Sequence, residues 1–236
     1  MHTCLTSNVG PLRPVGVVKI ICDTHEKTSD YDVLLQKLTK HGYVVSCSNR
    51  LFGANTDDAL LHALTQEQHD LESMLNKYSV PIFLIGNGYG GLIAQQITMN
   101  QGKCTACICT DTKYSWWEKI CIKTGMLVCG KSAKTLFTSY KNRTYGFHNA
   151  AMKIINALRD CNHPQVPTLI LGGAQDAANI THRIGKSLYG VYGDNNLNNL
   201  TLIMYPDKPT HTLLGNDCAD THQDVLRFLY MTNKQI

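Results

Sequence analysis

The stretch of residues 81–99, PIFLIGNGYGGLIAQQITM, constrains the fold of this chain more than any other. Residues 82–85 are four consecutive apolar residues, which is typical of a short strand buried on both faces. A glycine-rich turn at residues 86–91 follows, and apolar residues then recur at helical spacing. The stretch therefore predicts a strand, a sharp turn and a helix in direct succession.

Two motifs share this geometry. One is G-x-S-x-G, in which a strained turn exposes a nucleophilic serine, and it fits at Gly86 and Gly90 with Gly88 in the serine position. The other is the dinucleotide fingerprint G-x-G-x-x-G, which fits at Gly86, Gly88 and Gly91. Asp111 lies 20 residues beyond Gly91, where an acidic residue would contact a ribose. The turn alone leaves both motifs open.

The remainder of the chain alternates apolar strand patterns with amphipathic helix patterns, which predicts a mostly parallel sheet with helices on both faces. We predict one α/β domain over residues 1–236, with a loose arm at residues 1–14 and a cap insertion at about residues 112–165. The predicted strands are residues 15–22, 43–47, 82–85, 106–110, 168–171 and 200–205. The predicted helices include residues 31–41, 57–78, 148–158, 180–189 and 221–232.

Two further residues follow strands in the order expected of a hydrolase. Asp176 comes shortly after the predicted strand at residues 168–171, and His211 shortly after the strand at residues 200–205. Hydrolases with the G-x-S-x-G turn carry their nucleophile, acid and histidine in that chain order. Because ligands bind beyond the carboxyl ends of parallel strands, we expect Asp176 and His211 to face Gly88.

These features resemble the monoglyceride lipase and lysophospholipase branch of the α/β-hydrolases, including copies carried by large DNA viruses. That family has HGxGEHSGRY after a strand, and this chain has CDTHEKTSDY at residues 22–31, in which Glu26 and Tyr31 match. The family's PVFLLGHSMGG corresponds to PIFLIGNGYGG at residues 81–91. Of the family's DxxGHGxS segment, SNRLFGAN at residues 48–55 keeps only Gly53.

The resemblance implies an α/β-hydrolase fold with Asp176 and His211 as a remnant dyad. It also implies an oxyanion hole formed by the backbone N–H groups of Tyr89 and Thr24. Gly88 has no side chain to attack a carbonyl, and Asp23 would place negative charge beside the developing oxyanion. We therefore expect a degenerate serine hydrolase that is catalytically inactive and acts by binding an acyl or lipid ligand or a protein.

Two alternatives stay open. The first is an active ester or lipid hydrolase in which His211 and Asp176 activate a water, or in which Cys22 replaces the serine as nucleophile. The second is a dinucleotide-binding protein that uses the turn from Gly86 to Gly91.

Composition and charge bear on nucleic-acid binding, membrane insertion, cofactors and location. The net charge of +4 is small and the Lys and Arg residues are scattered, so we do not expect nucleic-acid binding. No apolar stretch reaches the roughly 18 residues of a membrane span. We expect no cofactor and no metal, although Cys104, Cys107 and Cys109 lie close together in the sequence. Residues 1–16 lack the apolar core of a signal peptide, so we expect a cytoplasmic, intracellular protein whose ten cysteines are reduced thiols.

Overall fold

The fold is seen in a computed structural model, which describes residues 5–6, 14–101, 103–110, 148–160, 166–173, 199–205, 208, 212–214 and 218–234. The strands in these residues are β1 (Leu5–Thr6), β2 (Gly16–Ile21), β3 (Tyr43–Ser48), β4 (Ile82–Asn87), β5 (Ala106–Thr110), β6 (Thr168–Gly173) and β7 (Leu200–Tyr205). The helices are a 3-10 turn (Thr28–Tyr31), α1 (Asp32–Lys40), α2 (Asp57–Lys77), α3 (Tyr89–Gln101), α4 (His148–Asp160) and α5 (Ala219–Asn233).

The strands form one sheet in the order β1-β3-β2-β4-β5-β6-β7. All pairings from β3 to β7 are parallel, and β1 pairs antiparallel with β3 through Leu5↔Cys47 and Thr6↔Ser46. The predicted mostly parallel sheet is confirmed. Residues 1–14 were predicted to be a loose arm, and this is wrong for β1, which is held by pairing rather than by an apolar pattern of its own.

Helices cover both faces of the sheet. One face carries α2, α3 and α4 and the other carries α1 and α5, each over its own apolar core. Strand β2 supplies both cores, because Val17 and Ile21 face one side while Val18 and Ile20 face the other. Strands buried on both faces are the continuous apolar runs that the sequence contains.

Helix α4 lies within the segment predicted as a cap insertion, yet it belongs to the helical layer of the domain. Its buried residues Ala150, Ile154 and Leu158 are in the same core as α2 and α3, and the Ala150 N–H donates to Asp57 Oδ1 at 2.9 Å. The boundaries of the insertion stay a prediction, since residues 111–147 lie outside the described residues. The predicted helix at residues 180–189 also lies outside them.

Helix α2 begins as the sequence predicts, with Thr56 Oγ1 accepting the Ala59 N–H at 3.2 Å. Among the helices in the described ranges, none combines the length and the apolar character needed to cross a bilayer.

A network of four charges, two of them buried and two half-buried, joins α2 to the sheet. Lys19 on β2 forms ion pairs with Glu67 at 2.9 Å and Asp70 at 2.7 Å, while Arg50 pairs with Glu67 at 3.1 Å and with Asp70 at 2.9 Å. Lys19 is 1% exposed, and although burial alone would lower its pKa, the two carboxylates raise it above its ordinary value. Lys19 is therefore charged inside the core.

We predict that Lys19→Met lowers the free energy of unfolding by about 1–3 kcal/mol, because it removes one of the two cations that pair with the buried Glu67. Urea denaturation measures this change. Glu72→Gln is the matched control on the same helix, since its pair with His69 is exposed and should contribute less than about 1 kcal/mol. Equal losses in the two variants would contradict the prediction.

Candidate active site

The carboxyl ends of β2 and β4 meet where the chain changes direction across the sheet. From β2 the chain goes outward to β3 and then returns to β4 on the opposite side of β2. Such a switch point is the usual ligand crevice of an open α/β sheet. The register pairs Ile21 with Gly86, so Asp23 and Gly88, each two residues further on, lie opposite one another.

The turn between β4 and α3 is a tight elbow with Gly88 at its tip. Gly88 has φ +53°, the left-handed conformation that glycine adopts most readily. A Cβ at Gly86 would lie 2.3 Å from the Gly90 carbonyl oxygen, and a Cβ at Gly90 would lie 2.2 Å from the Ile21 carbonyl oxygen. The first turn of α3 therefore packs directly on β2, which explains the G-x-x-x-G spacing and confirms the predicted strand, turn and helix.

The carboxylate of Asp23 occupies the space beside this elbow. Its Oδ1 accepts the Tyr89 N–H at 3.0 Å, and the residue is 5% exposed. A Cβ on Gly88 would lie 2.1 Å from Asp23 Oδ2 and 2.2 Å from its Cγ. The carboxylate thus fills the volume where a side chain at position 88 would begin.

Glu26 fixes the backbone that carries Asp23. Glu26 Oε2 accepts the Asp23 N–H at 2.7 Å and the Tyr31 O–H at 2.6 Å, and Oε1 accepts from Asn87 Nδ2. Thr110 donates to Asn87 Oδ1 at 2.7 Å, which extends the network to β5. Burial, followed by the Glu26 carboxylate, raises the pKa of Tyr31, so its hydroxyl stays a donor.

From the sequence, Glu26 and Tyr31 are only matches to a family motif, and Asn87 is not identified as part of the site. The position of Glu26, three residues after Asp23, could have indicated its role, because a buried carboxylate accepts hydrogen bonds from nearby N–H and O–H groups. Asn87 gave no signal of its own, since its contact with Glu26 depends on β2 and β4 being neighbours.

The two predicted oxyanion residues lie at this same edge. The Tyr89 N–H points to Asp23, while the Tyr89 side chain is 6% exposed and packs in the core of α2, α3 and α4. Thr24 is 2% exposed, and its carbonyl accepts the Gly53 N–H at 2.9 Å. Gly53 is the residue kept from the family's second motif, and it holds the neighbouring loop against Thr24.

Asp176 and His211 lie outside the described residues, so their mutual distance stays a prediction. The strands that precede them, β6 and β7, are parallel neighbours in the sheet.

Cys22 lies in an environment that disfavours a nucleophilic role. Its side chain is fully buried in the core of α1 and α5, with its Sγ 3.4 Å from the Sγ of Cys47. The hydrogen bond with Cys47, followed by burial, raises the pKa of the Cys22 thiol far above its ordinary value. Because the thiolate is the reactive form, this thiol is poorly suited to attack an ester.

We predict that Glu26→Ala lowers the free energy of unfolding by about 3 kcal/mol or more, because it leaves three buried hydrogen-bond donors without their acceptor. Chemical denaturation followed by circular dichroism measures the loss. Asp30→Ala is the matched control, since Asp30 makes an exposed hydrogen bond to the Lys27 N–H in the same loop. If Glu26→Ala were no more destabilised than Asp30→Ala, the network would not hold the loop.

The sequence matches no protein-family profile and no curated protein. Solved structures do match over nearly the whole chain. The monoacylglycerol lipase of Paleococcus ferrophilus aligns with a TM-score of 0.67 at 12% identity, over 98% of this chain and 99% of that one. A soluble variant of monoglyceride lipase from Saccharomyces cerevisiae, in complex with a substrate analog, aligns with a TM-score of 0.67 at 14% identity, over 98% and 91% of the two chains.

An α/β-hydrolase enzyme from the metagenome of lagoon sediments, MGS-MChE2, aligns with a TM-score of 0.63 at 17% identity, over 98% of this chain and 95% of that one. Identities this low establish the fold alone. The chain has the α/β-hydrolase fold, as the sequence predicted.

Proposed function

We propose that this protein is a degenerate, monoacylglycerol lipase-like serine hydrolase that no longer hydrolyses esters and acts by binding an acyl or lipid ligand or a protein partner. The observation that carries the proposal is the pairing of Gly88 and Asp23. The position of the nucleophile has no side chain, and a carboxylate lies in its place. The fold neighbours named as lipases support the choice of ligand class.

The chemistry of acyl transfer explains why this pairing matters. The reaction needs a nucleophile, a base and N–H donors for the oxyanion that develops on the carbonyl oxygen. Gly88 supplies no nucleophile, and the Tyr89 N–H already donates to Asp23. A second negative charge forming next to this carboxylate would be repelled, since both would lie in a region of low dielectric.

Within this proposal Asp176 and His211 are a remnant dyad, and we expect their side chains to approach within about 2.6–3.2 Å of one another. A location in the cytoplasm belongs to the same proposal. Five buried cysteines of the described residues, Cys22, Cys47, Cys104, Cys107 and Cys109, are thiols, which is in keeping with a reducing compartment. An origin in a large DNA virus is likewise an expectation from the resemblance.

The alternatives are weakened by the same geometry. A dinucleotide phosphate at the start of α3 would meet the Asp23 carboxylate, so like charges would oppose its binding. Burial of Cys22 opposes the thiol route. A water activated by His211 and Asp176 is the remaining hydrolytic alternative, and it is open to direct measurement.

We predict that wild-type protein hydrolyses p-nitrophenyl butyrate and monoacylglycerol no faster than His211→Ala, because removing a nucleophile abolishes nearly all triad catalysis. Initial rates at high enzyme concentration test this. His69→Ala is the matched control, since His69 is largely exposed on α2. Turnover that His211→Ala loses and His69→Ala keeps would establish an active hydrolase.

Restoring the serine tests whether the rest of the catalytic machinery survives. We predict that Gly88→Ser reacts weakly with a fluorophosphonate probe, because the new side chain must displace Asp23. Adding Asp23→Gly should increase labelling, and adding His211→Ala to that double variant should abolish it. If a folded double variant stays inert, the catalytic geometry is lost beyond the nucleophile. Fast, complete labelling of the single variant would mean that Asp23 is no obstacle.

A further inference from the structure

We propose that Asp23 is a built-in anion that closes the elbow, and that it can lie there only because residue 88 has no side chain. The inference deepens the proposed function by assigning the closure of the site to a specific contact. The proposal concerns how Asp23 and Gly88 fit together, so it is tested by measuring the stability of variants. Its outcome does not depend on whether the protein hydrolyses esters.

A side chain at position 88 would overlap the Asp23 carboxylate at the elbow. A Cβ on Gly88 would meet Oδ2, Cγ and Oδ1 of Asp23 at 2.1, 2.2 and 2.7 Å. The elbow cannot retreat, because Gly86 and Gly90 already pack their backbones against the first turn of α3 and the end of β2. A side chain at position 88 and the carboxylate in its present place therefore exclude one another.

Hydrogen bonds hold both the side chain and the backbone of Asp23 in place. Its Oδ1 accepts the N–H of Tyr89, the first residue of α3, where the helix dipole favours negative charge. The backbone N–H of Asp23 is bound to Glu26, which is itself 3% exposed. The donor that an ester oxyanion or a ligand carboxylate would need is thus engaged by the protein itself.

The overlap and the hydrogen bonds together predict that substitutions at positions 23 and 88 have coupled effects on stability. In wild type, Gly88→Ala is destabilising for two reasons, the strained φ of an alanine at this position and the displacement of the Asp23 carboxylate. In Asp23→Gly the space is open, so only the strain of a left-handed alanine remains. Asp23→Asn keeps the shape of the side chain without its charge, so Gly88→Ala should again be strongly destabilising there.

The experiment is a double-mutant cycle read by thermal and urea denaturation. Gly88→Ala is made in wild type, in Asp23→Gly and in Asp23→Asn. Gly53→Ala is the matched control, because Gly53 has φ +71° and a Cβ there would meet nothing within 4 Å. Its cost should be the same in wild type and in Asp23→Gly, and it measures backbone strain without a clash.

We expect the fall in melting temperature caused by Gly88→Ala to shrink at least about twofold when Asp23 is replaced by glycine. If Gly88→Ala alone fails to fold, recovery of folded protein in the double variant supports the proposal equally. An unchanged cost of Gly88→Ala in Asp23→Gly, or a double variant that also fails to fold while Gly53→Ala folds, overturns it. Ester hydrolysis by wild type would overturn the proposed function and leave this cycle to be decided on its own.

Discussion

The close packing of the first turn of α3 on the end of β2 is the constraint on which the site depends. Gly90 lies so close to the Ile21 carbonyl that no side chain would fit at position 90. Gly86 lies equally close to the backbone of Gly90, so no side chain would fit at position 86. This packing places the start of α3 beside the residues that follow β2. Once the register pairs Ile21 with Gly86, Asp23 and the elbow must meet. The absence of a side chain at position 88 then allows Asp23 to reach the helix N-terminus.

Among the described residues, acidic side chains that are wholly or partly removed from water are stabilised in two different ways. Beside α2, Glu67 and Asp70 are matched by Lys19 and Arg50, so opposite charges offset the loss of hydration. At the elbow, Asp23 and Glu26 accept hydrogen bonds from neutral N–H and O–H groups of the described residues, including those of Tyr89 and Tyr31. Such acceptance stabilises a carboxylate locally, and it ties the loop after β2 to β4 and β5.

Sequence patterns predicted every strand of the parallel part of the sheet in the described residues, with ends within two residues of those observed. The predicted strands at residues 106–110 and 200–205 match β5 and β7 at both ends, although β5 is buried throughout and only Leu200 of β7 is buried. The two-residue strand β1 was missed, since so short a segment carries no periodicity and depends on its partner β3. The 3-10 turn at Thr28–Tyr31 was not predicted either, apart from Tyr31, which the predicted helix at residues 31–41 includes.

The site was predictable in outline and not in detail. The spacing of glycines placed Gly88 at the elbow, and the resemblance to the hydrolase family suggested that Asp23 lies near the oxyanion hole. That the carboxylate takes the volume of the missing side chain follows from strand register, which a single sequence does not contain. The network of Glu26, Tyr31 and Asn87 likewise joins residues 61 positions apart in the sequence. Contacts of this kind appear only when the sheet is assembled.

The overlap between a side chain at position 88 and the Asp23 carboxylate also bears on how such a protein can evolve. The two residues lie 65 positions apart in the sequence, yet any side chain at position 88 would meet the Asp23 carboxylate in its present place. A larger residue at position 88 is therefore expected to be tolerated better after Asp23 has been replaced, although that first substitution removes the hydrogen bond from the Tyr89 N–H. Positions 23 and 88 thus form an epistatic pair, in which the effect of a substitution at one position depends on the residue at the other.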